Sequence, residues 1–334
     1  MVSSRDFTAR LRQGAFRQGL NRYIHGMSLS VRFLGTSASR PTVERNVTAI
    51  TIIREGETLL FDCGEGTQRQ MMRYGTSFAL SDIFFTHMHA DHMLGVIGLF
   101  RTLSLQGRTE VMRLWGPRGS ALLLRQAIAL GSDKQPFPLE INEVVPDTPI
   151  QRKGYAILPY PVDHKDKLAL GYALVEEIRL GRFNPDKARE MGVPEGPAWG
   201  RIHRGQSVTL ENGRVVEASE LVGPPRPARK VVFTGDSRPS AGTLAMAGNA
   251  DLLIHEATFA DDEQPRAVET GHSTAREAAE IARDAGVKQL ALTHLSARYS
   301  LNASELLQQS REVFANTVIA RDGMDIDVPY ATDD

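Results

Sequence analysis

The chain has 334 residues, 41% of them apolar and 24% charged, which supplies a sizeable core and excludes a disordered or fibrous chain. No apolar run approaches the roughly 20 residues that cross a bilayer, and a formal net charge of −1 leaves any nucleic-acid contact to a local basic surface. The single cysteine, Cys63, excludes an intrachain disulfide and thiolate-rich zinc sites and fits a reducing compartment.

Residues 1–28 carry Arg5, Arg10, Arg12, Arg17 and Arg22 against one acid, Asp6, with Phe7, Leu11, Phe16 and Leu20 at loosely helical spacing. No continuous apolar stretch of the secretory kind follows, so the segment reads as an N-terminal extension of a cytoplasmic protein, with organelle targeting the weaker reading. Residues 29–334 read as one domain. Leu29–Leu34 alternates as a first strand, and Ala49–Ile53 with Thr58–Phe61 forms a hairpin around Glu55-Gly56-Glu57. Asp62-Cys63-Gly64-Glu65-Gly66 ends that hairpin, and a helical pattern runs through Gln68, Met71 and Met72. A strand is predicted over Asp82–Thr86, a helix over Leu94–Leu105, a strand over Val111–Trp115 and a helix over Ala121–Leu130. Strands follow at Tyr155–Val162, ending on Asp163-His164, and at Gly171–Glu176.

The stretch 179–227 differs: many Gly and Pro, little periodicity, and one hairpin signal at Asn212-Gly213, the pattern of an inserted arm. Alternation resumes with strands at Lys230–Thr234 and Asp251–His255, a helix over Thr274–Ala285, a strand at Gln289–Thr293 and a helix over Ala303–Phe314. Strand and helix alternating on both sides of an arm predict an α/β fold of two packed sheets flanked by helices.

The chemistry concentrates in His87-Met88-His89-Ala90-Asp91-His92, three of nine histidines and a carboxylate directly after an apolar strand. Extended residues alternate in direction, so His87 and His89 project to one side, while Asp91 and His92 open the next turn and helix. His164, Asp236 and His294 each follow a further apolar strand, where α/β sheets place functional groups at carboxyl edges. Seven donors exceed one tetrahedral ion with an open position and suit two ions. His87, His89 and His164 are assigned to one, Asp91, His92 and His294 to the other, with Asp236 bridging. Nitrogen and oxygen donors suit zinc, manganese or iron. Two such ions lower the pKa of a shared water, which fits phosphodiester hydrolysis. Asp62, before a glycine turn, is expected to fix a ligand histidine.

THMHADH at Thr86–His92, with His164, Asp236 and His294, resembles the metallo-β-lactamase superfamily. FLGTSASRPT (33–42), FDCGEGTQRQM (61–71), TGDSRP (234–239), HEATF (255–259), GHST (271–274) and LTHLSARY (292–299) resemble ribonuclease Z, the tRNA 3′-processing endonuclease family within it. GPAWGRIHRGQSVTLENGRVV (196–216) resembles that family's Gly-Pro-containing exosite. Ten Lys and Arg against six Asp and Glu between Arg179 and Lys230 make the arm a phosphate clamp. Ser37 and Ser237 stand where the family usually has glycine and threonine, which bears on loop detail and not on ligands.

The resemblance implies a metallo-β-lactamase-like αββα sandwich of two mixed β-sheets flanked by helices, with the arm protruding. It implies two divalent ions, zinc with manganese as the alternative, and a bridging hydroxide that cuts precursor tRNA after the discriminator nucleotide, leaving a 3′-hydroxyl on the tRNA and a 5′-phosphate on the trailer. Asp91 would both ligate and orient the attacking water, and His272 would protonate the leaving oxygen or stabilise the transition state. Glu256 would orient His272, or be purely structural; His255 has no assigned role. A homodimer is implied, one subunit's arm presenting tRNA to the other's active site, with no membrane involved. Two rivals stand: another phosphodiesterase or small-ester hydrolase of the same fold, and a non-catalytic RNA-binding protein. His25 and His203 are expected to be solvent-exposed, and Trp199 to pack the arm's own small core or stack on RNA.

Overall fold

In the computed structural model, which describes residues 28–130, 137–165 and 168–331, Leu29, Val31 and Phe33 turn one face of β1 (Leu29–Gly35) into the core while Ser30 and Arg32 face outward. β2 (Ala49–Arg54) and β3 (Glu57–Phe61) form the expected hairpin, with Arg54 opposite Glu57 and both turn residues, Glu55 and Gly56, at positive φ (50° and 87°). That is the two-residue turn whose twist matches paired strands. β4 (Leu80–Phe84), β5 (Met112–Gly116) and β6 (Leu139–Glu143) add in parallel, and β16 (Asp325–Asp327) closes the other edge antiparallel to β1.

The second sheet has the order β15-β14-β13-β12-β9-β8-β7, from Thr317–Ile319, Leu290–Thr293, Leu252–Glu256, Lys230–Phe233, Leu170–Glu176, Tyr155–Pro161 and Ile150–Arg152 in turn. It too is mixed, with β12 to β15 parallel and β7, β8, β9 and β12 antiparallel. The inner faces meet in one core, where Phe61 stacks on Phe84 at 5.0 Å and Tyr172 meets both edge-on at 5.9 and 5.5 Å. Each such ring contributes about 1.5–3 kcal/mol by burial alone. Helices Gly95–Leu105 and Ser120–Ala129 cover the first sheet, and helices Ala241–Ala247, Ala275–Asp284 and Ser304–Arg311 the second, giving an αββα sandwich. Among the described residues no helix is long and apolar enough to cross a membrane.

The strand before the histidine cluster ends at Phe84, two residues short of the expected Thr86. The Phe85 amide still reaches Trp115 O at 2.7 Å, but the Thr86 amide leaves the ladder for Asp62 Oδ1 at 2.8 Å. The helix expected from Leu94 is preceded by a turn of helix, Ala90–Met93, carrying Asp91 and His92. This piece docks on the turn after β3: the Cys63 amide donates to His92 O (2.7 Å) and the Gly95 amide to Cys63 O (2.8 Å). A Cβ on Gly95 would lie 1.9 Å from Gly64 O, so only glycine permits that approach. β6, β7, β15 and β16 and the helices Ala241–Ala247 and Gln264–Thr270 have no counterpart in the sequence reading; the strands are short edge pieces with weak alternation.

Residues 179–227 contain more regular structure than their sequence suggested. Short helices Pro185–Glu190, Pro197–His203 and Ala218–Leu221 and the pair β10 (Val208–Thr209) and β11 (Val215–Val216), joined across Asn212-Gly213, enclose a separate core of Ala188, Val193, Ile202, Val208, Val216 and Leu221. Helices of four to seven residues are too short to show a period. Trp199 packs on this core, its Nε1 donating to Val193 O at 3.1 Å. His203 corrects the expectation of solvent exposure: it is half-buried, with Nε2 2.9 Å from Gly181 O. Residues 1–27 of the N-terminal extension, His25 included, lie outside the described residues.

Candidate metal centre

Seven donors from four strand ends and one helical turn converge on a single volume. Ligand-capable atoms of His87, His89, His164 and Asp236 lie within 4.8 Å of one another, and so do those of Asp91, His92 and His294. Asp236 faces both groups. Its Oδ1 lies 3.3 Å from His294 Nε2 and 3.4 Å from His92 Nε2, and its Oδ2 3.7 Å from His87 Nε2 and 4.0 Å from His164 Nε2. His89 Nδ1 completes the first group at 3.5 Å from His164 Nε2, and Asp91 Oδ2 the second at 3.4 Å from His294 Nε2 and 3.5 Å from His92 Nε2.

The surrounding hydrogen bonds fix which nitrogen of each ring faces inward. Asp62 Oδ2 accepts from Thr86 Oγ1 and from His92 Nδ1, both at 2.8 Å. The Thr86 proton is thereby used, so His87 Nδ1, 3.1 Å from that hydroxyl, is the donor of the next link. Thr258 Oγ1 likewise donates to Glu256 Oε2 at 2.7 Å, and His294 Nδ1, 3.0 Å away, donates to it. His164 Nδ1 donates to Gly271 O at 2.9 Å. Four rings are thus left with Nε2 free for a cation, as expected of oriented metal ligands. Thr86, Thr258 and Gly271 were missed in the sequence, although Thr258 and Gly271 lie inside HEATF and GHST. Another missed contact is the Ser39 amide, which donates to Asp91 Oδ2 at 2.8 Å.

Electrostatics favour a bound cation. Burial pushes His92 toward its neutral form, but Asp236, Asp62 and Asp91 around it prevail and raise its pKa well above the ordinary value. Burial likewise opposes ionisation of Asp236, yet His294 and His92 hold it well below the carboxylate range. His87, walled in and beside His92, is pushed strongly down. Buried His87 Nε2, His92 Nε2 and Asp236 Oδ1 have no hydrogen-bond partner, a cost that coordination removes. The donor set and its unpartnered atoms therefore fit divalent metal ions held by histidine and aspartate.

His272 opens onto the same space, its Nδ1 2.8 Å from Glu256 Oε1 and 3.9 Å from Asp236 Oδ2. Its ring lies 5.0 Å from that of His164 and 5.4 Å from that of His294. Burial lowers its pKa, but the charge and hydrogen bond of Glu256 more than reverse this, raising it to about 9. Glu256, fully buried at the end of β13, also accepts from the Ser237 amide (3.0 Å) and the Thr258 amide (3.1 Å). His255 turns away, its Nδ1 donating to Glu256 O at 2.8 Å. The GHST turn is held from behind by Arg238, which donates to His272 O at 2.5 Å and grips both oxygens of Glu277.

Known proteins resemble this chain in sequence and in fold. Residues 29–144 match the family described as anti-Pycsar protein Apyc1, and residues 201–295 the beta-lactamase superfamily domain. A protein named ribonuclease Z from Gemmatimonas aurantiaca is 63% identical over 303 residues, covering 90% of this chain and 96% of that one. Another of that name from Haloferax volcanii is 49% identical over 310 residues, covering 92% and 98%. The solved structure of human tRNase Z, short form, aligns with a TM-score of 0.65 at 27% identity, over 90% of this chain and 99% of that one. A diphosphatase of the PhnP family, at 18% identity and a TM-score of 0.59 over 91% and 100%, shares the fold.

Proposed function

Because the chain belongs to the ribonuclease Z family, and is accordingly a metal-dependent endoribonuclease of tRNA 3′ processing, we propose that its seven convergent donors hold two divalent ions at which the 3′ trailer is removed. The observation that carries this reading is Asp236, whose Oδ1 faces His92 and His294 while its Oδ2 faces His87 and His164. His87, His89 and His164 would hold one ion and Asp91, His92 and His294 the other, most simply zinc, with manganese the alternative. When bound, the pair would supply positive charge for the phosphate and lower the pKa of a shared water toward neutrality.

The chain's own groups do the rest. Asp91, pinned through Oδ2 by the Ser39 amide, orients the attacking water and takes its proton. His272, kept protonated by Glu256, gives its proton to the leaving 3′ oxygen of the discriminator nucleotide, so that cleavage after that nucleotide leaves a 3′-hydroxyl on the tRNA and a 5′-phosphate on the trailer. Residues 179–227 serve as the precursor-tRNA grip, with Arg201 and Arg204 exposed at the C-terminal end of the helix that begins at Pro197. A cytoplasmic homodimer, one subunit's arm serving the other's metal centre, completes the proposal.

The test is incubation with a precursor tRNA carrying a 3′ trailer, in zinc and then in manganese, with both product ends mapped. One cut after the discriminator nucleotide with the stated ends supports the reading. Turnover of a small chromogenic phosphodiester with the precursor left intact would instead favour another hydrolase of this fold, and binding without any cleavage a non-catalytic RNA-binding protein.

A further inference from the structure

Where the arm leaves the body, its stem is a ladder with a gap. The β9–β12 pairing ends with the Glu176 amide donating to Arg229 O at 3.0 Å, and pairing resumes only at Arg179 and Arg226, whose amides and carbonyls exchange bonds of 3.1 and 2.9 Å. Between these rungs stands Pro227, which has no N–H to donate. The gap is spanned by Tyr330, near the C-terminus. The Arg179 guanidinium carbon lies 3.5 Å from the centre of the Tyr330 ring and that of Arg229 3.8 Å from it. Two guanidinium groups so close to one centroid fit only on its opposite faces.

The two cations differ in how they are held. Arg229 is fixed to the body: it grips both oxygens of Glu176 at 2.7 and 2.8 Å, donates to Val328 O at 3.0 Å, and shares Glu176 with Arg54. Arg179 belongs to the stem, and its buried Nε and Nη2 have no hydrogen-bond partner. For Arg179 the face of Tyr330 is the principal compensation for lost solvent, and a desolvated cation on an aromatic face is strongly held. The ring thus couples a stem residue to a body residue across the break in the ladder.

We propose that Tyr330 is a positioning residue that sets the angle of the arm on the body, and with it the delivery of the tRNA 3′ end to the metal centre. This rests on the reading of residues 179–227 as the tRNA grip. Tyr330→Ala, Tyr330→Phe and the double variant Arg201→Glu/Arg204→Glu, as full-length metal-loaded enzyme, are compared on trailer-bearing precursor tRNA and on bis(p-nitrophenyl) phosphate. For Tyr330→Ala we expect KM for the precursor to rise about tenfold, the loss of a desolvated cation–π contact, with kcat and turnover of the small diester held within about twofold. Tyr330→Phe keeps the stacked ring and should restore the wild-type KM. Equal losses on both substrates, or no rescue by phenylalanine, would overturn the proposal. If the double variant raises KM and Tyr330→Ala does not, the coupling is wrong and the arm reading stands; if neither does, both fall.

Discussion

His272 Nδ1 and Glu256 Oε1 lie 2.8 Å apart, and the other sites on that carboxylate are filled by the Ser237 and Thr258 amides and the Thr258 hydroxyl. Glu256 therefore both orients His272 and ties together the loops after β12 and β13, so the two readings offered by its sequence position are compatible. With Glu256 holding its pKa at about 9, His272 is expected to act as a proton donor and not as a ligand. His272→Ala should lower kcat by about 10²–10⁴ while leaving metal content, measured by atomic emission, unchanged. Parallel loss of metal would show that His272 is a ligand instead.

The same pair fixes a pH dependence. Burial alone would lower the pKa of His272, and Glu256 raises it to about 9, so the donor form persists through neutrality and is lost as pH rises. Removing the carboxylate charge in Glu256→Gln leaves burial opposed mainly by the smaller effect of Asp236. The alkaline limb of the kcat profile should then move to lower pH, and an unmoved limb would assign it to another group.

Asp236 touches both donor groups, whereas His89 belongs to one. Asp236→Ala should deplete both ions and His89→Ala mainly one, each abolishing cleavage while the arm retains precursor tRNA in a filter-binding assay. Loss of tRNA binding equal to loss of cleavage in a folded variant would contradict the division of labour between arm and metal centre.

Asp62 is fully buried at φ 56°, a conformation asparagine tolerates well, and its Oδ2 accepts from His92 Nδ1. Asp62→Asn should preserve the fold yet weaken metal binding about 10–100-fold, through the loosened His92 ring. Chelator competition measures this, and wild-type affinity would remove Asp62 from the site.

Glu176 lies buried between Arg54 and Arg229. Glu176→Ala removes the carboxylate shared by two buried guanidinium groups and should cost about 3–5 kcal/mol in urea unfolding of the metal-free protein at neutral pH. Burial pushes this carboxyl up, but Arg229 and then Arg54 pull it below its ordinary value. Its contribution is complete above the unfolded value and fades as pH falls through the lower folded one. The gap between wild type and variant should therefore narrow below about pH 4, and a constant gap would refute the assignment.

Much of the architecture was legible from local pattern. The β2–β3 hairpin follows from alternation around Glu55-Gly56, and the alanine face of helix Ala275–Asp284 from its period. Long alternating segments carry their own signal because one face must be buried. Three-residue strands such as β7 and β15 do not, since their pairing is decided by the sheet edge they meet. The helices within 179–227 were hidden for the same reason: each is about one to two turns long and is stabilised by a shared core rather than by its own amphipathic face.

The amino-acid sequence by itself determined which residues could do metal chemistry and roughly where each would stand, because His87 to His92, His164, Asp236 and His294 all follow apolar strand segments. Only the tertiary structure decided how they face one another. Asp236 divides its oxygens between two groups, Thr86 and Thr258 pass the charge of Asp62 and Glu256 to particular ring nitrogens, and Tyr330 meets Arg179 across the arm's stem. These contacts join residues brought together by packing of the two sheets, and a hydrogen bond or stacked ring depends on distance and direction that no local period encodes.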